Sequence, residues 1–171
     1  MNVAILFGRK NSKSIKNKNI FKIFSKPMFM YPLDAAKKVK GINKIYVSSD
    51  SNYILKQAKK KNCIPIKRPK YLCNDKALLE DAIQHAVTFC QNANNGKIKN
   101  FIILLCNSIC VKHEDIKKGL KILNKSKKFD TVTTVSKFNN FSPVRTKKIK
   151  KNELLNNFSN EKLKKFTPLS S

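Results

Sequence analysis

Apolar positions fall along this chain in short blocks that alternate between two spacings. Val3 to Phe7 is a consecutive apolar run ending at Gly8, which predicts a buried strand feeding the polar stretch behind it. Tyr31-Pro32 opens a helical pattern with Leu33, Ala36 and Val39 on one face, closed by Gly41. Residues 44–48 (KIYVS) predict a second strand, and Asp50 and Ser51 suit the cap of a helix carrying Ile54, Leu55 and Ala58. A third strand, Cys63 to Ile66, stops at Arg68-Pro69. Leu79, Ala82, Ile83, Ala86, Val87 and Cys90 form one continuous stripe and the clearest helix, with Asn94-Asn95-Gly96 as its exit loop. Residues 101–106 (FIILLC) are apolar at consecutive positions, as in a central strand covered on both faces. Ile116, Leu120 and Leu123 give another helical face, and Asp130 to Val135 a fifth strand.

Strands alternating with helices predict an α/β domain with a largely parallel sheet and right-handed crossovers. After Pro143 the pattern weakens. Val144 to Ile149 reads at most as one more strand, and residues 147–165 are mainly Lys, Asn and Glu. The chain reads as a single domain, residues 1–171. Its last part, 150–171, is weakly patterned and stops at Ser171 without a closing element, as if interrupted.

Composition refines this picture. With 171 residues, 41% of them hydrophobic, a sizeable core can be buried. No apolar run approaches the roughly 18–20 residues that span a bilayer. The N-terminus carries its basic residues after its apolar ones, the reverse of a secretory signal, so a soluble cytoplasmic protein is expected. Charge is extreme: 37 basic against 10 acidic residues, a net +27. Nucleic-acid binding is the first thought it raises. Only 3 of the 37 are Arg, however, and 20 Asn accompany the lysines from end to end. Base reading and bidentate phosphate contacts favour Arg, so the excess looks more like the codon usage of an AT-rich genome. A basic nucleic-acid-binding protein stays as a lesser reading. The field still draws in anionic substrates of any kind. Five cysteines (Cys63, Cys73, Cys90, Cys106, Cys110) form no CxxC, and His85 and His113 stand at no zinc-ligand spacing to them; buried free thiols are expected.

In open α/β sheets ligands bind beyond the carboxyl ends of the strands, which is where the loop Gly8 to Asn19 leaves the first strand. It carries five cations, two serine hydroxyls, three carboxamides and a run of backbone N–H groups. Such a loop can wrap a polyphosphate and neutralise charge on a leaving group. It is no P-loop, since no GKS or GKT follows a second glycine. On its chemistry alone, a solvated basic loop stands beside the phosphate-binding one.

Arg9-x-x-Ser12-Lys13 and then Lys18-Asn19, behind the VAILF strand, resemble the opening signature of the acylneuraminate (CMP-sialic acid type) cytidylyltransferases. The likeness continues in register. Lys26-Pro27 with Tyr31-Pro32 resembles the family's entry to its first helix, and Ile45 to Ser51 (IYVSSDS) its IVSTDS strand end. Arg68-Pro69, Leu72 and Asp75 resemble its RP…LA-D segment, and Gln84-His85-Ala86 its helix with VIHAL. Asp130 to Val135 and Ser142 to Arg145 resemble its DSVVSV…SPLR region, so the likeness covers about residues 2–149.

The resemblance implies a three-layer αβα Rossmann-like nucleotidyltransferase domain, C-terminally incomplete, that transfers CMP from CTP to an acidic nonulosonic (sialic-acid-like) sugar. Pyrophosphate would leave and Mg²⁺ would be required; a homodimer is compatible with it. By position, Arg9 and Lys18 would hold phosphates as the catalytic pair, with Ser12 adding a hydroxyl. Asn19 and Arg68 would read the base, Asp75 would order that pocket, and Asn107 would touch acceptor or base. Ser14 stands where the family has Gly and Lys16 where it often has Pro. Cys106 to Lys112 (CNSICVK) replaces the family's Gln-Pro-Thr-Ser-Pro-Leu-Arg run, which points to a less common acceptor. The family's metal-binding acidic pair lies beyond Ser171; no Asp follows Asp130, and Glu153 and Glu161 sit in a segment without pattern. A catalytically inactive, nucleotide-binding remnant is therefore an alternative to an active enzyme.

Overall fold

A computed structural model describes residues 1–10, 15, 17–74, 76–125, 129–135, 147–149 and 155–157. The chain divides into two compact units, Met1–Val132 and Thr133–Ser171. In the first, the elements run β1 (Asn2–Phe7), a short hairpin β2 (Lys22–Ile23) and β3 (Lys26–Pro27), α1 (Met30–Lys37), β4 (Lys44–Ser49), α2 (Asn52–Lys60), β5 (Ile64–Lys67), α3 (Leu79–Asn92), β6 (Asn100–Leu105) and α4 (His113–Lys125).

β5, β4, β1 and β6 lie side by side in that order, every pair parallel. β1 is central, and its alternating side chains reach both faces of the sheet. Ala4 and Leu6, with Val47 and Leu104, pack with Ala36 of α1, Ile54 and Ala58 of α2, and Ile116 and Leu120 of α4. Val3, Ile5 and Phe7, with Tyr46 and Ile66, pack with Ala82, Ala86 and Cys90 of α3. Helices thus cover both faces, the three-layer αβα arrangement expected from the sequence.

Local chemistry sets the boundaries. Ser51 caps α2, its Oγ accepting from the Ile54 N–H at 3.4 Å. α3 and α4 place Glu80 and Asp81, and Glu114 and Asp115, in their first turns, where carboxylates favour the positive end of the helix dipole. α1 ends at Lys37, short of Gly41, and Val39 is buried from the turn that follows. The hairpin is fastened to α1. Tyr31 Oη donates to the Ile23 carbonyl at 2.5 Å, and Lys26 pairs with Asp34 at 2.5 Å.

Three expectations need correction. A central strand at residues 101–106 is not met among the described residues, where β6 pairs only with β1 and Ile103 is 38% exposed. Consecutive apolar residues record which faces a strand can bury, not how many neighbours it has. Asp130 to Val135 forms no strand. A strand needs a hydrogen-bonding neighbour, and this segment is exposed apart from a half-buried Val132. All five cysteines are free, but only Cys63, Cys90 and Cys106 are buried; Cys73 is half-buried and Cys110 exposed.

In the second unit β7 (Lys147–Ile149) pairs antiparallel with β8 (Leu155–Asn157). Ser142 to Arg145, Glu153 and Glu161 lie outside the described residues. No helix among the described residues is long and apolar enough to cross a membrane.

Candidate functional site

The parallel sheet brings the carboxyl ends of its four strands to one rim: Phe7-Gly8, Ser48-Ser49, Lys67-Arg68 and Leu105-Cys106. Backbone bonds carry the strands past their ends. Gly8 N–H donates to the Ser48 carbonyl, Arg68 N–H to that of Ser49, and Cys106 N–H to that of Phe7. Gly8 is required by crowding: a Cβ there would lie 2.3 Å from the Cys106 Sγ and 2.9 Å from its Cβ.

From this rim the loop departs, held at three points. Lys10 N–H donates to Asp50 Oδ1 at 2.6 Å. Asn19 Nδ2 donates to the Arg9 carbonyl at 2.8 Å, and the Asn19 carbonyl accepts from Phe29 N–H at 3.0 Å. Asn17 enters the 3-10 turn of Lys18–Ile20 at φ 58°, a left-handed conformation that asparagine tolerates better than most residues. Asn19, 8% exposed, is therefore both a wall of the site and the pin that closes the loop on itself.

Between the loop and the start of α2 lies a cavity of about 310 Å³, lined on its polar side by Arg9, Lys10, Asn17, Asn19, Asp50 and Asn52. Tyr53 and Ile54 supply apolar wall. Arg68, at the end of β5 and not among the lining residues, is 7% exposed and donates from Nη2 to the Ser48 carbonyl at 3.0 Å and from Nε to Ser48 Oγ at 3.4 Å. Its guanidinium lies 5.9 Å from the centre of the Phe7 ring, within cation–π range. Burial pulls the Arg68 pKa below its ordinary value, while Cys73, Asp50 and Cys106 oppose that pull. A guanidinium remains charged under such a shift, so the rim holds a fixed buried cation. Burial likewise pushes the Cys106 thiol up to about 12, keeping it neutral.

Of the residues singled out from sequence, Arg9 and Asn19 meet at the cavity. Lys18 follows Asn17 on the turn, half-buried, and is not among the residues lining the cavity. Arg68 is buried at the strand-end rim and is not among the lining residues either, and Asn107 is exposed just past the end of β6. Ser12 and Asp75 lie outside the described residues. Sequence reasoning offered Asp50 and Ser51 together for the cap of α2. Ser51 fills that role, and the Asp50 side chain turns to the loop. It also passed over Asn52 and Tyr53; the rule that ligands gather at strand ends would have drawn attention to the Ser49-Asp50-Ser51-Asn52 run closing β4. For Mg²⁺ the donor set is poor. Asp50 is the one carboxylate among the cavity's lining residues, its Oδ1 accepts the Lys10 N–H, and the described residues hold no group of three or more His, Cys, Asp or Glu suited to a metal ion.

A parallel αβα sheet with a basic hollow at the carboxyl end of an interior strand is a Rossmann-like arrangement with a site suited to an anionic ligand. The chain belongs to the cytidylyltransferase family, whose model, described as Cytidylyltransferase, matches residues 3–167. It is 32% identical over 148 residues to a Helicobacter pylori protein named pseudaminic acid cytidylyltransferase and UDP-2,4-diacetamido-2,4,6-trideoxy-beta-L-altropyranose hydrolase, covering 84% of this chain and 27% of that one. To the N-acylneuraminate cytidylyltransferase of Escherichia coli it is 26% identical over 142 residues, 83% of this chain and 33% of the relative. In fold it resembles a CMP:2-keto-3-deoxy-manno-octonic acid synthetase complexed with CTP (TM-score 0.61, 16% identity, 74% of this chain and 48% of that one). A 4-diphosphocytidyl-2C-methyl-D-erythritol synthase is also similar in fold (TM-score 0.57, 11% identity, 73% of this chain and 55% of that one). The chain thus spans about a third or less of these curated relatives and about half of these structures.

Proposed function

We propose that this chain binds CTP at the rim of its sheet and serves the transfer of CMP to an acidic nonulosonic, sialic-acid-like sugar, with release of pyrophosphate. The observation that carries the reading is the pinned loop after β1, which sets Arg9, Lys10 and Asn19 around one hollow in a chain of the cytidylyltransferase family. The acceptor class is supported by the names of two relatives, which act on pseudaminic acid and on an N-acylneuraminate.

In this reading Arg9, Lys18 and the Ser12 hydroxyl hold the triphosphate, together with backbone N–H groups of the loop. The acceptor hydroxyl attacks the α-phosphorus, giving up its proton to solvent, while the bond to the bridging oxygen of the pyrophosphate breaks. Negative charge grows on the departing phosphates, so fixed cations and correct alignment do most of the work. Asn19 and Arg68 face the cytosine edge, whose O2, N3 and N4 suit a carboxamide and a guanidinium. Two of the Arg68 nitrogens are spent on Ser48, which fixes the plane of the guanidinium and leaves Nη1 for the base. Asp75 orders the base pocket and Asn107 meets the acceptor. Mg²⁺ belongs to the reading through the family resemblance; the described residues do not make a site for it, and no step is routed through it.

The test separates binding from turnover, because the chain spans only part of its relatives. CTP is expected to raise the melting temperature by several degrees, and Lys18→Ala to remove most of that shift. A folded wild-type chain that shows no shift with CTP overturns the reading. Pyrophosphate release from CTP with a panel of nonulosonic acids then decides between transfer and a nucleotide-binding remnant.

A further inference from the structure

A carboxylate at the mouth of a phosphate site is electrostatically out of place, since it repels the anion the loop attracts. Asp50 is such a group. It lines the cavity with Arg9 and Lys10, and the chain keeps it there although acidic residues number only 10 in 171. Its contacts suggest why. Asp50 Oδ1 accepts the Lys10 N–H at 2.6 Å, across 40 positions of sequence, and so ties the first turn of the loop to the end of β4. The strand end that carries it is itself locked. Ser49 Oγ accepts from Ser51 N–H at 3.0 Å, Ser51 Oγ accepts from Ile54 N–H, and Lys67 Nζ reaches the Asp50 carbonyl at 3.3 Å and Asn52 Oδ1 at 2.5 Å. The Asp50 carboxylate therefore projects from a rigid base. On the far side, Asn19 pins the Arg9 carbonyl, one residue before the Asp50 contact. Arg9 and Lys10 are held from both sides, and ordering them before ligand arrives lowers the entropic cost of binding.

We propose that Asp50 is a positioning residue for the loop: it acts by accepting the Lys10 N–H, and touches neither phosphate nor metal. This rests on the nucleotide reading above. What matters at position 50 is then an acceptor oxygen at the right distance, not the negative charge. Asparagine keeps that oxygen and drops the charge, whereas glutamate keeps the charge and moves the oxygen outward by one methylene.

The test compares Asp50→Asn, Asp50→Glu and Asp50→Ala with the wild type, by amide exchange at Lys10 in ¹⁵N-labelled protein and by CTP affinity in calorimetry. Asp50→Asn is expected to keep Lys10 protected and to bind CTP at least as tightly as wild type. Asp50→Glu and Asp50→Ala are expected to expose that amide and to weaken CTP by about three- to tenfold, the cost of one hydrogen bond. Should Asp50→Asn lose CTP while Asp50→Glu retains it, the charge is the functional element and the proposal fails. Unchanged Lys10 exchange in Asp50→Glu and Asp50→Ala overturns it as well. A wild type that does not bind CTP overturns the nucleotide reading instead, and the exchange rates still report on the clamp.

Discussion

β1 and β6 are neighbours in register, from Asn2 opposite Asn100 to Phe7 opposite Leu105, and both read as unbroken apolar runs. Their surroundings differ. Val3 to Phe7 are 0–3% exposed, whereas in β6 only Leu104 is buried. β1 has a strand on each side and helices on both faces. Among the described residues β6 has one strand beside it, and Ile103 reaches solvent. A similar sequence pattern thus supports two energetic roles, one strand anchoring core and site together and the other closing one flank. The site follows the anchored strand, because a loop can be held to sub-ångström tolerance only by a base that does not move.

The sharpest way to break the comparison is to truncate one side chain in each strand. Leu6→Ala removes a fully buried side chain from a core that cannot collapse around the gap, and should cost about 2–5 kcal/mol. Ile103→Ala should cost about 1 kcal/mol or less, since part of its surface is already wet. Chemical denaturation of both variants checks this, and equal losses would mean that β6 is covered as fully as β1.

A smaller effect tests where the two strands meet. Gly8→Ala drives a methyl group against the buried Cys106 side chain, so β1 and β6 must part at the rim. A loss of about 1–3 kcal/mol is expected. Adding Cys106→Ala removes the sulfur and should return part of it, while leaving the contact with the 106 Cβ. CTP affinity should fall with stability, because Gly8 is the last residue before Arg9. Denaturation midpoints of the single and double variants measure the rescue; no rescue would place the strain elsewhere.

Much of this was legible in the sequence, for physical reasons that can be named. Val3 to Phe7 offers apolar side chains to both sheet faces, so a doubly covered strand is the one economical placement for it. Leu79 to Cys90 repeats with the pitch of a helix, and Ser51 is the residue type that caps one. The loop from Gly8 to Asn19 stood out because the end of a first parallel strand is where α/β sheets bind ligands, and Arg9 and Asn19 within it through the family resemblance. What stayed hidden depends on three-dimensional neighbours. That β6 has a single strand beside it among the described residues depends on which strands pair with it, and its own residues do not encode that. Asp130 to Val135 has a strand's composition and forms none, since β propensity without a partner strand gains nothing. The Asp50 clamp joins residues 40 positions apart, and the need for glycine at position 8 comes from a cysteine on another strand.

The smallest effect reads the same junction through its protons. Cys106 is 1% exposed, and burial raises its thiol from 9.0 to about 12, with Arg68 pulling weakly the other way. The neutral thiol is thus favoured in the folded chain. Below pH 9 both folded and unfolded thiols hold their proton, and nothing is lost. Between pH 9 and 12 the unfolded chain releases it while the folded one does not, so stability must fall as pH rises. By pH 10 the loss amounts to about 1 kcal/mol from this one group. The informative quantity is a difference between two chains. The stability of Cys106→Ala, measured by denaturation at pH 8, 9 and 10, should decline less steeply than that of the wild type by about that amount. Parallel pH profiles for wild type and Cys106→Ala would mean that water reaches the rim between β1 and β6, and the contrast between a sealed strand and an open one would then stop short of the site.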